Sequence, residues 1–342
     1  MGVQERVDAM WHGSLLVRAL IATSLLFGTV TTSSDAGAQA RAGPPKVGIL
    51  SFGPAPAGTD PDPDIGVRQG LREFGYVEGR NIVIERRYAD GMPDKLAAQA
   101  AELVRMKVDV ILASGPAPLV AARNATNSVP IVTISGSDPV RAGWAESLAH
   151  PGGNVTGLTV TFPGLDLKRL EILREAFPGI QRVAVLTEFR PDQRFKEEMD
   201  AGARQLKLEL LFVEVRREEE IDRAFTIARQ ARAQALLAVA TNVVVNHRSR
   251  LAALAAADRM VSISQFPLMA QAGFLLTYGA DLDDLGRRSI GQIDKILKGA
   301  RPGDLPIERP TKFQLTVNLK AAKALGLTIP QSLLARADEV LR

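Results

Sequence analysis

The 342-residue chain contains no cysteine. A disulfide framework, a thiolate metal site, a cysteine nucleophile and a lipid-modified cysteine are therefore excluded. Histidine is nearly as scarce, with only His12, His150 and His247. They form no H-x-x-x-H pair, and neither a G-x-S-x-G elbow nor an acid-rich metal cluster occurs. With no nucleophile–base pair visible, no enzymatic activity, cofactor or metal is expected. Aromatic residues make up 5% of the chain, and no arginine-rich run interleaves with them. The formal charge is only +4. Arginines alternate with acids, as in "RREEE" and "ADLDDLGRRS". Such a pattern describes a solvated mixed-charge surface rather than a nucleic-acid footprint. Long apolar runs are also missing. The run "ALIATSLLFGTV" (19–30) has 12 residues, where a membrane span needs about 20.

That run follows Arg18 and leads to Ala38-Gln39-Ala40, which fits the small-residue rule before a signal-peptidase cut. Residues 1–40 are expected to be a cleaved signal peptide. The mature protein would start at Arg41 as a soluble periplasmic protein.

Beyond residue 44, short β-branched runs alternate with helix-length amphipathic stretches. The runs are "KVGILSF", "NIVIERRYA", "VDVILAS", "PIVTIS", "NVTGLTV", "RVAVLTE", "LELLFVEV", "ALLAVA", "VSISQ" and "GFLLTYG". In "DKLAAQAAELVRMK", Leu96, Ala100 and Leu103 share one helix face. Continuous apolar strands joined by helices predict an α/β fold with doubly wound, mostly parallel sheets. The βα rhythm occurs twice, over 46–135 and 182–265, which predicts two similar lobes. Later, a helix is expected over 282–298. Prolines 302, 306 and 310 then favour extended chain that passes back between lobes.

In open α/β sheets, ligands bind beyond the carboxyl ends of the strands. The residues at those ends are the candidate site. The first strand ends at Ser51 and Phe52. The loop after it has Gly53 and Gly58 but lacks the Lys-Ser/Thr of a phosphate loop. The third gives Ser114, Gly115 and Ala117 around Pro116, a helix start whose N–H groups attract a carboxylate. Ser114 either caps that helix, contacts ligand, or does both. The fourth gives Ser137 and Asp138, with Asp138-Pro139 reading as N-cap and first residue of a short helix in "VRAGWAESL". Asp138 is either a cap alone or also a carboxylate facing a ligand ammonium. Gly152-Gly153 reads as a turn. The second series gives Glu188, Thr241, Asn242 and Gln265. Tyr278 ends "GFLLTY" and is either a contact or strand packing. Asp281, Asp283 and Asp284 read as helix-start acids.

Several blocks carry a resemblance: "GLREFGYVEGRN", "DPVRAGWAESLAHPGGNVTGLT" and "PTKFQLTVNLKAAKALGLTIPQSLLARADEV". They resemble the ABC-transporter substrate-binding protein family that includes tryptophan- and tyrosine-binding lipoproteins, over nearly all of the mature chain. The resemblance implies a two-lobe periplasmic-binding fold of type I with three hinge crossings. The lobes would be 44–158 plus 275–304 and 159–274 plus 305–342, hinged near 158, 275 and 308. It implies a monomer that captures a small solute, such as an amino acid or related carboxylate. The partners would be that solute and a membrane permease with its ATPase. By analogy, Ser114 and its neighbours would hold a carboxylate and Asp138 an ammonium. The acylated cysteine of the lipoprotein members is absent. Two alternatives remain: a ligand sensor of the same fold, and a secreted enzyme. A transcription regulator would need a DNA-reading module ahead of "KVGILSF", where the export signal stands.

Overall fold

The computed structural model describes residues 43–56, 64–188 and 193–342. The expected signal peptide, residues 1–40, lies outside them. The body from residue 41 onward is one compact unit by its contacts.

All ten apolar runs form strands. They are β1 (Lys46–Ser51), β2 (Val83–Tyr88), β3 (Val110–Ser114), β4 (Ile131–Ser135), β5 (Val155–Thr159), β6 (Arg182–Thr187), β7 (Glu209–Glu214), β8 (Ala235–Ala238), β9 (Val261–Ser264) and β10 (Leu276–Ala280). Two more follow, β11 (Phe313–Asn318) and β12 (Glu339–Leu341). The main connecting helices are α1 (Ile65–Glu73), α2 (Pro93–Arg105), α3 (Pro116–Ala125), α4 (Leu165–Ala176), α5 (Gln193–Gln205), α6 (Ile221–Gln230), α7 (Asn242–Asn246), α8 (Arg248–Ala257), α9 (Pro267–Gln271), α10 (Leu282–Leu297) and α11 (Leu319–Leu325). None is long and apolar enough to cross a membrane.

The first sheet has the order β2-β1-β3-β4-β5, all parallel. The second runs β12-β11-β10-β9-β8-β6-β7. Its segment β7-β6-β8-β9-β10 repeats the order of the first sheet. Beyond it, β11 adds antiparallel to β10, and β12 parallel to β11. Apolar residues point to both faces of each sheet. Ile49, Val110 and Leu112 meet α1 and α10, and Leu50, Ile111 and Ala113 meet α2 and α3. Val183 and Val185 pack on one side of the second sheet, Ala184 and Leu186 on the other. This double coverage explains why the strands read as unbroken apolar runs.

The chain passes between the sheets three times: after β5, after β10 and ahead of β11. The crossings lie side by side. Thr159 N–H donates to Glu308 O (2.9 Å), Glu308 N–H to Gly157 O (2.9 Å) and Asp281 N–H to Lys312 O (3.1 Å). Strand β10 pairs with β9, so residues 276–280 belong to the second sheet. The expected boundary near 275 therefore falls one strand too early, and the crossing is at Asp281. From there α10 returns to the first sheet, where it packs closely on α1. A Cβ on Gly66 would sit 2.1 Å from Asp283 O, so only glycine lets the two backbones approach this far.

A buried polar hub ties the crossings to α10. Gln292, 2% exposed, donates from Nε2 to Pro306 O (3.0 Å), Gly157 O (3.3 Å) and Glu308 Oε1 (3.2 Å). The Thr156 hydroxyl lies 3.0 Å from Gln292 Oε1 and 2.7 Å from Leu305 O. Arg288 pairs with Glu308, and Lys312 reaches Asp284 at 3.3 Å.

Candidate functional site

The first sheet reverses its strand order between β1 and β3. A crevice opens at such a reversal because the chains leaving the two strands turn to opposite faces of the sheet. Ser51 and Ser114 end these two strands and are register partners. Both are half-buried. Neither hydroxyl has a partner among the described residues. Phe52 turns to the other face and packs against the α2–α3 core.

Ser114 does not cap α3. Gly115 does, with φ +108 and ψ 171 and no side-chain cap bond. A positive φ of this kind suits glycine, so the cap position lies one residue later than Ser114. The helix start also offers fewer donors than its position suggests. Gly115 N–H bonds Ile134 O (2.8 Å), Leu119 N–H bonds Gly115 O (3.2 Å), and Pro116 and Pro118 have no N–H. What remains is the Ala117 N–H beside the Ser114 hydroxyl, a narrow pair of donors for one acceptor group.

The stretch after β4 forms a turn rather than the expected short helix. Asp138 Oδ1 accepts from Val140 N–H (3.0 Å) and Arg141 N–H (2.9 Å), so it is a cap, but of a single turn. The turn ends at Gly143, φ +68, and the Trp144 indole then tucks in at 5% exposure. Trp144 Nε1 donates to Ser137 Oγ (3.3 Å), which also meets Ser135 Oγ at 2.9 Å. Ser137 is thus engaged locally, and Asp138 itself is exposed.

The second sheet reverses between β6 and β8. Glu188 follows β6 and is half-buried. Its carboxyl faces the Thr241 side chain and the Asn242 N–H, which favour its charged form. Burial outweighs them and pushes its pKa up. Thr241 also caps α7, accepting from Val244 N–H at 3.4 Å. Gln265 Oε1 accepts the Ala240 N–H, joining the β9 end to the β8 end. Glu188, Thr241 and Asn242 are therefore brought together, and Gln265 lies one strand further along.

At β10, Tyr278 O accepts from Arg169 Nε at 2.7 Å. Arg169, 2% exposed, is held by Asp166 within the first turns of α4. The Tyr278 ring stacks on Phe313 (centroids 6.0 Å apart, 21° between planes), and Phe162 meets Phe313 edge-on at 5.8 Å. The register Ala280↔Phe313 produces this cluster, with Phe162 entering from the first crossing. Strand-end reasoning missed Phe162, Phe313 and Arg169. In a chain with so few aromatics, two phenylalanines beside the crossings were the available signal.

Among the described residues no group of His, Asp and Glu is placed to hold a metal ion. A groove between α8 and α11, with Ala252, Ala256, Ala321 and Ala324 in its lining, opens at the start of β9, away from the carboxyl ends of the parallel strands.

The family model of the ABC transporter substrate binding protein matches residues 60–341. A curated tyrosine-binding protein of Clostridioides difficile (strain R20291) is 26% identical over 265 residues, covering 77% of this chain and 76% of that protein. The structure of the ABC domain in complex with L-Trp from Streptococcus pneumonia superposes with a TM-score of 0.76 at 25% identity, covering 87% of this chain and 100% of that one. A conserved domain protein from Vibrio cholerae superposes with a TM-score of 0.74 at 24% identity, covering 86% and 99%. The two sheets and their strand order are those of the type I periplasmic-binding fold. The chain belongs to the ABC transporter substrate-binding protein family.

Proposed function

We propose that this protein captures a small solute of the amino-acid kind between its two lobes and delivers it to a membrane permease outside the cytoplasm. It performs no chemistry on that solute. The observation that carries this reading is the adjacency of Ser51 and Ser114 at a strand-order reversal, with unpartnered hydroxyls and a free Ala117 N–H. These donors suit a carboxylate. The lobes are residues 44–159 with α10, and residues 165–280 with 313–342. Closure would bring Glu188, Thr241, Asn242 and Gln265 onto the same solute. Affinity then includes the closure equilibrium. Asp138 belongs to the cleft edge and holds its loop. The aromatic group Tyr278, Phe313 and Phe162 offers a flat apolar wall, and the similar proteins named for tyrosine and L-Trp support a bulky side chain there. Residues 1–40 direct export.

Native mass spectrometry of the exported protein tests this reading. One co-purifying small molecule at unit stoichiometry, identified as a carboxylate-bearing solute, is expected. A protein that turns over its bound solute would contradict it.

A further inference from the structure

Among the described residues, one buried carboxylate oxygen has no hydrogen-bond donor: Asp284 Oδ2, in the first turn of α10. The other oxygen of the same side chain is well served, with Arg287 at 2.7 Å and Lys312 at 3.3 Å. A buried acceptor left open in this way calls for an explanation. Arg288 stands one turn further along the helix, with Nη1 3.5 Å from Oδ2. It does not donate there. Its Nη1 donates instead to Arg309 O and Thr311 Oγ1, each at 3.2 Å, while its Nη2 pairs with Glu308.

The two claims on Nη1 come from different parts of the molecule. Asp284 shares α10 with Arg288, and α10 packs on the first sheet. Arg309 and Thr311 lie in the third crossing, which leads into β11 of the second sheet. Glu308 is fixed between them, its backbone bonded to Gly157 and Thr159 and its Oε1 to Gln292. The guanidinium is thus anchored at Nη2, and Nη1 has two acceptor sets within reach. The Arg288 side chain is 18% exposed and that of Asp284 3%, so a hydrogen-bonded pair between them is screened far less than one in water. Lys312 also spans the crossing, but it is 64% exposed and such a pair is weak.

We propose that Arg288 is the positioning residue of the hinge, a two-position switch. Its Nη1 holds the third crossing in the conformation seen here, and it turns to Asp284 Oδ2 when the lobes rotate. The open oxygen is the acceptor of the second position. Each position replaces the hydrogen bonds of the other, which keeps the two conformations close in energy, where differential contacts with a solute can select between them. The inference rests on the reading of the two lobes as moving about the crossings.

The test is the interlobe distance in solute-free protein. The chain has no cysteine, so Ala98→Cys and Ala257→Cys, at exposed positions of α2 and α8, carry the only two spin labels. Pulsed electron paramagnetic resonance should show two distances. A Lys312→Gln background removes the other cation of the crossing from Asp284. In it, Thr311→Val weakens the first position and should shift the ratio of the two distances by at least about threefold. Asp284→Asn weakens the second and should shift it the opposite way. Thr311 is exposed, so Thr311→Val carries the test alone if Asp284→Asn does not fold. A ratio that Thr311→Val leaves unchanged, or that both variants move the same way, makes the network purely structural and overturns the proposal. One fixed distance in every variant also overturns it. Solute capture stands in that case if the distance shortens when the twenty L-amino acids are added, and falls with the switch if it does not.

Discussion

Ser51 and Ser114 stand opposite one another as the last residues of adjacent parallel strands. Each strand sends its chain to a different face of the sheet, so both hydroxyls border the crevice between the departing chains. Because Gly115 and not Ser114 caps α3, the Ser114 hydroxyl has no structural duty.

Ser114→Ala should therefore leave stability within about 0.5 kcal/mol of wild type, as surface changes do. A hydrogen bond to a charged group is worth about 1.5–3 kcal/mol. Solute affinity should fall roughly tenfold to a hundredfold, as read by calorimetric titration. A fall in melting temperature with unchanged affinity would return Ser114 to a capping role.

The hub at the crossings predicts a different signature. Gln292 is buried and satisfies backbone carbonyls of both Gly157 and Pro306. Gln292→Leu leaves the Pro306 carbonyl without this donor, at about 1–3 kcal/mol for a buried group left unsatisfied, while Gly157 O keeps the Glu308 N–H and the Thr156 hydroxyl keeps Leu305 O. Urea unfolding should show a loss of about 1–3 kcal/mol. Hydrogen exchange should speed up across residues 155–159 and 305–308 first.

Gly157 is the crossing's other fixed point. Its φ is +144, and a Cβ would lie 2.1 Å from Thr133 O and 2.5 Å from Thr133 N. Backbone atoms of a central strand cannot yield by that much. Gly157→Ala should cost about 4 kcal/mol or more and give little folded protein by circular dichroism.

The raised pKa of Glu188 sets a pH dependence. The folded state favours the protonated acid, so the contribution of Glu188 to stability is full below the ordinary glutamate range. It is lost as pH rises through the elevated folded-state value. Glu188→Gln should then gain stability relative to wild type above that window and match it below. The donors facing Glu188, Thr241 and Asn242, do not titrate. Melting curves across pH 4–8 follow this trend.

Much of the fold was legible because its strands are covered on both faces. "VDVILAS" or "RVAVLTE" has no polar alternation to hide it. β11 was not. "FQLTVN" follows three prolines, and its pairing with β10 depends on a third crossing that brings it back to the second sheet. The boundary near 275 failed for the same reason, since nothing local in "GFLLTYG" says which sheet receives it. Strand-end residues were legible as positions but not as partners. That Ser137 serves the Trp144 indole, or that Asp138 caps a turn rather than a helix, follows from how Trp144 packs. Gln292 was invisible, being one polar residue on an amphipathic helix until the crossings close around it.

In the proposed arrangement one solute is held by both lobes at their strand ends. Hydrogen-exchange mass spectrometry with and without the co-purifying solute tests it most directly. Protection should appear together around residues 114–119 and 238–243, on opposite sides of the crossings, and disappear together on solute removal. Protection confined to one lobe, or centred on the α8–α11 groove, would contradict it.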